Sequence, residues 1–154
     1  YNPNLFQTLC EIAERYQIPR KYLELEITET AYATDSEMIF SVVEKLRQGG
    51  FRVLMDDFGS GYSSFGMLQN YNFDIMKIDM SFVRQIETNT KTRSIIRFII
   101  EMAHTMDIKI IAEGAETKEQ VEFLRDNGCD YIQGYYFYKP MPEEEFVKLL
   151  DAGR

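Results

Sequence analysis

The sequence predicts an α/β fold, and within that class part of a (β/α)8 barrel. Short apolar segments alternate with longer segments of helical periodicity along all 154 residues. That alternation is typical of parallel strands, because parallel strands need crossover helices and are buried on both faces. Charged or polar residues recur at the end of each predicted strand, which is where a barrel assembles its site. A doubly wound sheet would place ligands mainly at one switch point.

The first half of the chain contains two helices and two strands in alternation. We predict a helix over residues 3–17 and a strand over residues 22–27. A capping box from Thr34 to Glu37 begins the second helix, and Gly49-Gly50 ends it before a strand at residues 51–55. The apolar stripe of that helix consists of Ile39, Val42, Val43 and Leu46.

The second half continues the same alternation. A third strand at residues 73–78 precedes a long helix, and a fourth strand follows at residues 108–112. Thr117 with Gln120 begins the next helix, and a short fifth strand leads to a last helix that starts near Pro142. The long helix is predicted to turn one side inward, with Ile95, Ile99, Met102 and Met106. A barrel has eight such units, so about three are expected upstream of these five.

Composition excludes several classes of function. A net charge of −8 argues against binding of duplex nucleic acid, which needs a basic surface. Cys10 and Cys129 lack the spacing of a zinc site, and we expect both to be reduced. His104 closes an apolar helical segment, so packing is favoured over catalysis. No run approaches the ~20 apolar residues of a membrane span, so we expect a cytoplasmic protein, with any membrane anchor lying in other segments.

Asp56 and Asp57 are two adjacent carboxylates at a predicted strand end, followed by a loop rich in glycine and serine. Paired carboxylates beside a buried strand are costly unless a cation neutralises them, and hard divalent cations prefer oxygen ligands. A turn capped by aspartate is the alternative interpretation. The Asp57-Phe58-Gly59 tripeptide also matches a kinase motif, but the other kinase signatures are missing from the sequence.

Acidic residues at other strand ends each have a simple structural explanation. Glu24 and Glu26 could form the polar face of a half-exposed strand, and Glu116 could stabilise a helix N-terminus. Lys77 lies in a strongly apolar strand and should be paired with these carboxylates. Their recurrence at successive strand ends favours a convergent metal site, with Glu113 among its acids.

Five segments together resemble the signatures of the EAL-domain family of cyclic di-GMP phosphodiesterases, in that family's order. They are Leu-Glu-Leu-Glu-Ile-Thr-Glu-Thr at 23–30, Asp-Asp-Phe-Gly-Ser-Gly-Tyr-Ser-Ser at 56–64, Lys-Ile-Asp at 77–79, Ala-Glu-Gly-Ala-Glu-Thr at 112–117 and Gln-Gly-Tyr-Tyr-Phe-Tyr-Lys-Pro at 133–140. The resemblance covers the whole chain. It identifies residues 1–154 as the C-terminal portion of a single EAL domain.

The resemblance implies a set of roles at the centre of the site. Glu26, Asp56, Asp57 and Glu113 would bind two Mg²⁺ or Mn²⁺ ions. Lys77 would orient the attacking water, and Glu113 would complete the metal site or act on that water. Two metals suit in-line displacement at a phosphodiester, and the implied product is linear pGpG.

Further roles follow from the same resemblance. Glu29 would anchor the loop after Asp57, which contributes to the substrate site and, with the helix that follows, to a homodimer. In the second shell of the site, Asp79 would support Lys77 while Glu116 and Gln133 line the pocket. The residues implied to bind the substrate are Ser60, Gly61 and Pro140.

One departure from the family separates two functional hypotheses. The family's Glu-Ala-Leu motif and a metal-binding Asn belong upstream of the first residue of this sequence, and neither is present in it. The first hypothesis is an enzyme that hydrolyses cyclic di-GMP in the intact domain, with this portion inactive alone. The second is an inactive module that binds the dinucleotide or a protein partner.

Overall fold

The computed structural model describes residues 4–28, 31, 36–59, 68–69 and 72–152, and confirms the α/β class. The helices of this part are α1 (Leu5–Arg15), α2 (Ser36–Gln48), α3 (Met80–Val83), α4 (Thr90–Thr105), α5 (Lys118–Asp126) and α6 (Glu143–Ala152). The strands are β1 (Glu24–Thr28), β2 (Arg52–Phe58), β3 (Ile75–Ile78), β4 (Lys109–Ala112) and β5 (Tyr131–Ile132). A 3₁₀ turn at Arg20–Tyr22 precedes β1.

The five described strands form one parallel sheet in the order β1-β2-β3-β4-β5. Sequential order with parallel pairing is the topology of consecutive units of a (β/α)8 barrel. All strands point the same way, so their C-terminal ends lie along one edge. The residues that follow β1 to β5 are therefore neighbours in space.

The middle of the sheet is buried, and its margin is not. All four residues of β3 are buried, Lys77 among them, whereas β1 alternates between exposed and half-buried positions. Val43 and Leu46 of α2 pack into the core and Ile39 and Val42 lie against it, which confirms the predicted inward face.

The predicted inward face of the long helix α4 is displaced by about one residue, since Ile99 lies in the core and Met102 against it, as predicted, but Ile95 and Met106 do not. Ile95 and Met106 are 45% and 42% exposed, while Ile96, Ile99, Ile100 and Ala103 are buried. One residue corresponds to a rotation of about 100°. Both sets share Ile99, and contact with the sheet selects the second.

One element boundary differs from the prediction in a way that affects the site. β2 extends to Phe58, so Asp56 and Asp57 lie within the strand instead of after it. The capping box of α5 at Thr117 and Gln120 is confirmed, whereas Thr34 lies outside the described residues. Both cysteines are free thiols, as expected. Among the described helices, none has the length and apolar character to cross a membrane.

Candidate active site

Lys77 joins carboxylates from three other segments at the C-terminal edge of the sheet. Its Nζ lies 2.6 Å from Glu26 Oε1, 2.7 Å from Glu113 Oε1 and 3.0 Å from Asp56 Oδ1. The expectation that Lys77 pairs with these acids is confirmed. Lys77 is 6% exposed, so its ammonium is bound mainly by protein groups and not by water.

Strand register explains how these residues meet. Glu26 of β1 pairs with Leu54 of β2, and Lys77 of β3 pairs with Ile111 of β4, one residue before Ala112 and two before Glu113. Side chains at the ends of adjacent parallel strands therefore reach the same region. Glu26, Lys77 and Glu113 are distant in sequence, so it is the sheet that brings them together.

A bulge in β2 accounts for the position of Asp57. Met55 pairs with Met76 and Phe58 with Ile78, so β2 uses one residue more than β3 over this stretch. Asp57 takes a φ of +58°, a left-handed conformation that aspartate tolerates better than most residues. A bulge re-aims a side chain that regular pleating would place on the opposite face, and here it brings the Asp57 carboxylate within electrostatic range of Asp56, Asp79 and Glu26.

The pKa shifts reflect this crowding of negative charge. Burial acts to lower the pKa of Lys77, but hydrogen bonds to Glu113, Glu26 and Asp56 outweigh it and hold the pKa above its ordinary value. Burial raises the pKa of Asp57, and the neighbouring charges of Asp56 and Asp79 raise it further. The site thus holds more negative charge than Lys77 neutralises.

The donor set fits a hard divalent cation. Four carboxylates, from Glu26, Asp56, Asp57 and Glu113, share this edge with one ammonium. Oxygen ligands of this kind suit Mg²⁺ and Mn²⁺. In the described part of the chain, no three acidic, cysteine or histidine side chains are grouped around one metal position, and three of the carboxylates converge on Lys77 instead.

Two residues predicted for the second shell, Glu116 and Gln133, border a small pocket beside Glu113. The pocket, of about 190 Å³, is lined by Glu113, Glu116, Gln133, Met80, Arg84, Gly114, Gly134 and Tyr135. Glu116 lies 3.6 Å from Arg84. Asp79 accepts a hydrogen bond from the Ser81 amide and caps α3, and it lies near Asp57 instead of forming an ion pair with Lys77.

The remaining predicted residues lie outside the described part of the chain or are exposed. Glu29, Ser60 and Gly61 lie outside the described residues, as does most of the segment predicted for dimer contact, and Pro140 is exposed. Sequence reasoning missed Arg84 and Glu87, which contact the segment after β4. They follow a single helical turn, which is too short to give a periodic signal.

Comparisons with known proteins agree with this geometry. The profile of the EAL domain matches residues 1–140. The probable cyclic di-GMP phosphodiesterase PdeB of Escherichia coli (strain K12) is 39% identical over 142 residues, which are 92% of this chain and 27% of PdeB. The chain therefore spans about a quarter of the length of that relative.

Two solved structures share the fold. The EAL domain of Mycobacterium smegmatis DcpA matches with a TM-score of 0.93 at 33% identity, covering 99% of this chain and 69% of that one. The manganese and cy-diGMP complex of Klebsiella pneumoniae BlrP1 matches with a TM-score of 0.83 at 27% identity, covering 88% of this chain and 35% of that one.

Proposed function

This chain belongs to the EAL domain family, and from that premise we propose that it is the C-terminal portion of a domain that hydrolyses cyclic di-GMP to linear pGpG. The observation that carries the proposal is the position of Lys77 among Glu26, Asp56 and Glu113 at the strand ends. The name of PdeB and the ligand of BlrP1 support cyclic di-GMP as the substrate.

Glu26, Asp56, Asp57 and Glu113 would hold the metal ions, for which Mg²⁺ or Mn²⁺ fits the oxygen donors. Two such ions would supply a nucleophilic hydroxide near neutral pH and neutralise charge on the phosphodiester. Lys77 contacts the carboxylates of Glu26, Asp56 and Glu113, so we assign it the role of a hydrogen-bond donor and not of a base. It aligns three carboxylates and orients the attacking water, while Glu113 acts on that water or binds metal.

The same residues are compatible with a module that binds the dinucleotide or a protein without turnover. Under either function, the partners would be cyclic di-GMP and a second copy of the domain. The two copies would meet through the loop after Asp57 and the helix that follows. The domain would act in the cytoplasm.

The test compares this polypeptide with one extended upstream through a Glu-Ala-Leu segment. Each is incubated with cyclic di-GMP and Mn²⁺ or Mg²⁺, and pGpG is measured. We expect hydrolysis by the longer polypeptide, with little or none by the 154-residue chain. Hydrolysis by neither, combined with binding of cyclic di-GMP, would replace the enzyme with the binding module.

Asp56→Asn in the longer polypeptide tests the proposed site itself. This change removes one negative oxygen from the centre of the cluster, so hydrolysis should fall by at least about a hundredfold, on the scale seen when a key electrostatic group is removed. The matched control is Asp126→Asn, because Asp126 is exposed and pairs with Arg125 on α5. Full activity of Asp56→Asn would make the assignment wrong.

A further inference from the structure

The segment that carries Glu113 is clamped on its β5 side by backbone contacts. We call residues 113–117 the Glu113 loop. The Ala115 amide donates to the Gln133 carbonyl at 3.1 Å, and the Tyr136 amide donates to the Ala115 carbonyl at 3.0 Å. This side of the loop is therefore fixed by the chain after β5, whatever the side chains around it do.

On its β3 side the loop has one backbone contact at its start, where the Glu113 amide donates to the Ile78 carbonyl at 3.2 Å, and side chains hold the rest of it. Arg84 reaches Glu116 at 3.6 Å, and Arg93 reaches Glu119, in α5 just beyond the loop, at 3.2 Å. Both pairs are exposed, and exposed ion pairs contribute about 0–1 kcal/mol. Between them, the Thr117 hydroxyl donates to the Glu87 carboxylate. This contact is charge-assisted, which makes it the stronger kind.

Glu87 acts through a relay of hydrogen bonds that ends at the loop backbone. With its proton directed to Glu87, the Thr117 hydroxyl presents its lone pairs to the Gln120 amide, 3.3 Å away. The Gln120 side chain in turn accepts from the amides of Glu116 and Thr117, at 2.7 and 3.1 Å. Gln120 is buried, so water competes little for these bonds.

The residues on either side of Glu87 are held in place by burial and by hydrogen bonds. Ile86, the preceding residue, is fully buried. Gln85 accepts from Thr92 at 3.2 Å, and Asn89 caps α4 through the amides of Lys91 and Thr92. The Glu87 side chain thus extends from a turn that is held in place. A carboxylate fixed in this way can position the hydroxyl that donates to it.

We propose that Glu87 is a positioning residue for Glu113, acting through Thr117 and Gln120 to hold the Glu113 carboxylate against Lys77. The contact joins the segment after β3, the strand that carries Lys77, to the segment after β4, which carries Glu113. The positioning role in catalysis rests on the proposed phosphodiesterase function. The hold on the loop does not depend on it.

The test uses three variants. Glu87→Ala removes the acceptor, Glu87→Gln keeps an oxygen that can accept from Thr117, and Glu122→Ala is the matched control. Glu122 pairs with Lys118 within α5, at 3.4 Å. Amide hydrogen exchange on the 154-residue chain reports the loop without requiring catalysis.

In Glu87→Ala, the amides of Glu116 and Thr117 should exchange about fivefold faster, the factor of a net hydrogen bond of about 1 kcal/mol, while the Ala115 amide, bonded to Gln133, should not change. Exchange in β3 should stay unchanged, and Glu87→Gln should restore most of the protection. Unchanged loop exchange in Glu87→Ala, or an equal rise in Glu122→Ala, would overturn the proposal.

The second readout is steady-state hydrolysis of cyclic di-GMP by the longer polypeptide. For Glu87→Ala we expect a fall of about fivefold in kcat with an unchanged KM, recovered by Glu87→Gln. Faster exchange with an unchanged kcat would show that the loop is held but Glu113 is not positioned by it, which overturns the proposal. If the parent polypeptide does not hydrolyse the dinucleotide at all, the proposed function fails, and the exchange experiment still decides whether Glu87 holds the loop.

Discussion

At the scale of single residues, Lys77 holds together carboxylates that would otherwise repel one another. Its ammonium contacts Glu26, Asp56 and Glu113 within 3.0 Å. Replacing Lys77 with Met keeps the buried stem but leaves three carboxylates close together without this cation. We expect the free energy of unfolding to fall by about 2–3 kcal/mol, less than the ~3–5 kcal/mol for breaking a fully buried pair, because the Glu26 side chain is 47% exposed.

Urea unfolding at neutral pH measures this loss, with Lys77→Arg as the control that keeps the charge. Added Mn²⁺ should recover part of the stability of Lys77→Met, because a divalent cation can neutralise the same oxygens. A Lys77→Met variant as stable as the parent would show that water already screens these carboxylates.

The residue scale also shows where sequence reasoning stops. An isolated lysine in an apolar strand had to be paired, because an unpaired buried charge is too costly, and the pairing followed. The bulge at Asp57 could not be foreseen, since it appears only when β2 is aligned against β3. Arg84 and Glu87 escaped notice because their partners are set by the packing of two loops, which no local pattern encodes.

At the scale of elements, Asp130 ties together the start of β4 and the start of β5, at the end of the sheet opposite the candidate site. It accepts from Lys109 at 2.7 Å, from the Ile110 amide at 3.0 Å and lies 2.9 Å from His104 Nε2. Burial acts to raise the pKa of Asp130, but the bonds from Lys109, His104 and Ile110 outweigh it, so the pKa lies below its ordinary value.

A carboxyl with a lowered pKa stabilises the fold above its unfolded pKa of about 3.9 and loses that contribution as pH falls through the folded value. Asp130→Asn should therefore cost about 1.5–2 kcal/mol at pH 7, the lower part of the range for hydrogen bonds to charged groups. The difference from the parent should shrink below about pH 4. Urea unfolding across this pH range checks the effect, and a difference independent of pH would contradict it.

A second prediction at the scale of elements concerns Gly134, which lets the chain after β5 approach the Glu113 loop. A Cβ at Gly134 would lie 2.1 Å from the Ala115 carbonyl oxygen and 2.4 Å from its amide nitrogen. Backbone atoms cannot move aside as a side chain can, so Gly134→Ala should cost about 3 kcal/mol or more, at the top of the range for overpacking.

Thermal unfolding provides the measurement, and Gly128→Ala provides the control. Gly128 has a φ of +84°, but the nearest atom to its added Cβ, on His104, would be 3.7 Å away. That change carries the backbone cost of about 1–2 kcal/mol without a steric clash. Equal losses in the two variants would mean that the contact with Ala115 is not what demands glycine.

Helix α4 shows why element faces are harder to predict than element positions. Ile95, Ile99, Met102 and Met106 form a valid helical stripe, and so do Ile96, Ile99, Ile100 and Ala103. Periodicity places the helix correctly but cannot choose between overlapping stripes. The small residue Ala103 faces inward, which hydrophobicity alone does not favour.

At the scale of the whole molecule, the fold was predictable from its repetition, and the candidate site followed from the fold. Each unit repeats strand, polar end and helix, so errors in single boundaries did not change the topology. The convergence of Glu26, Asp56, Lys77 and Glu113 could be predicted because parallel order alone places strand ends together. Which of these side chains contact each other could not be predicted from strand order and is known only from the side-chain positions in the structure.

The described sheet has two open margins, β1 and β5, and unpaired strand edges promote association. Half-buried Leu25 and Ile27 lie along β1, and α6 exposes Phe146, Val147 and Leu150. We therefore expect the 154-residue chain to exceed its monomer mass of 18.1 kDa in sedimentation velocity, increasingly so at higher concentration. The net charge of −8 opposes association, so added salt should strengthen it.

Two comparisons identify which surface drives the association. A polypeptide extended upstream, whose added strands could pair with β1 and β5, should lose the concentration-dependent species and leave at most a discrete dimer. Phe146→Ser removes one aromatic ring from the exposed face of α6 and leaves both strand edges intact. Continued association of Phe146→Ser would assign the effect to the strand edges, whereas its loss would assign it to α6. A chain that stays monomeric at high salt, with cooperative unfolding, would show that β1 and β5 are already protected.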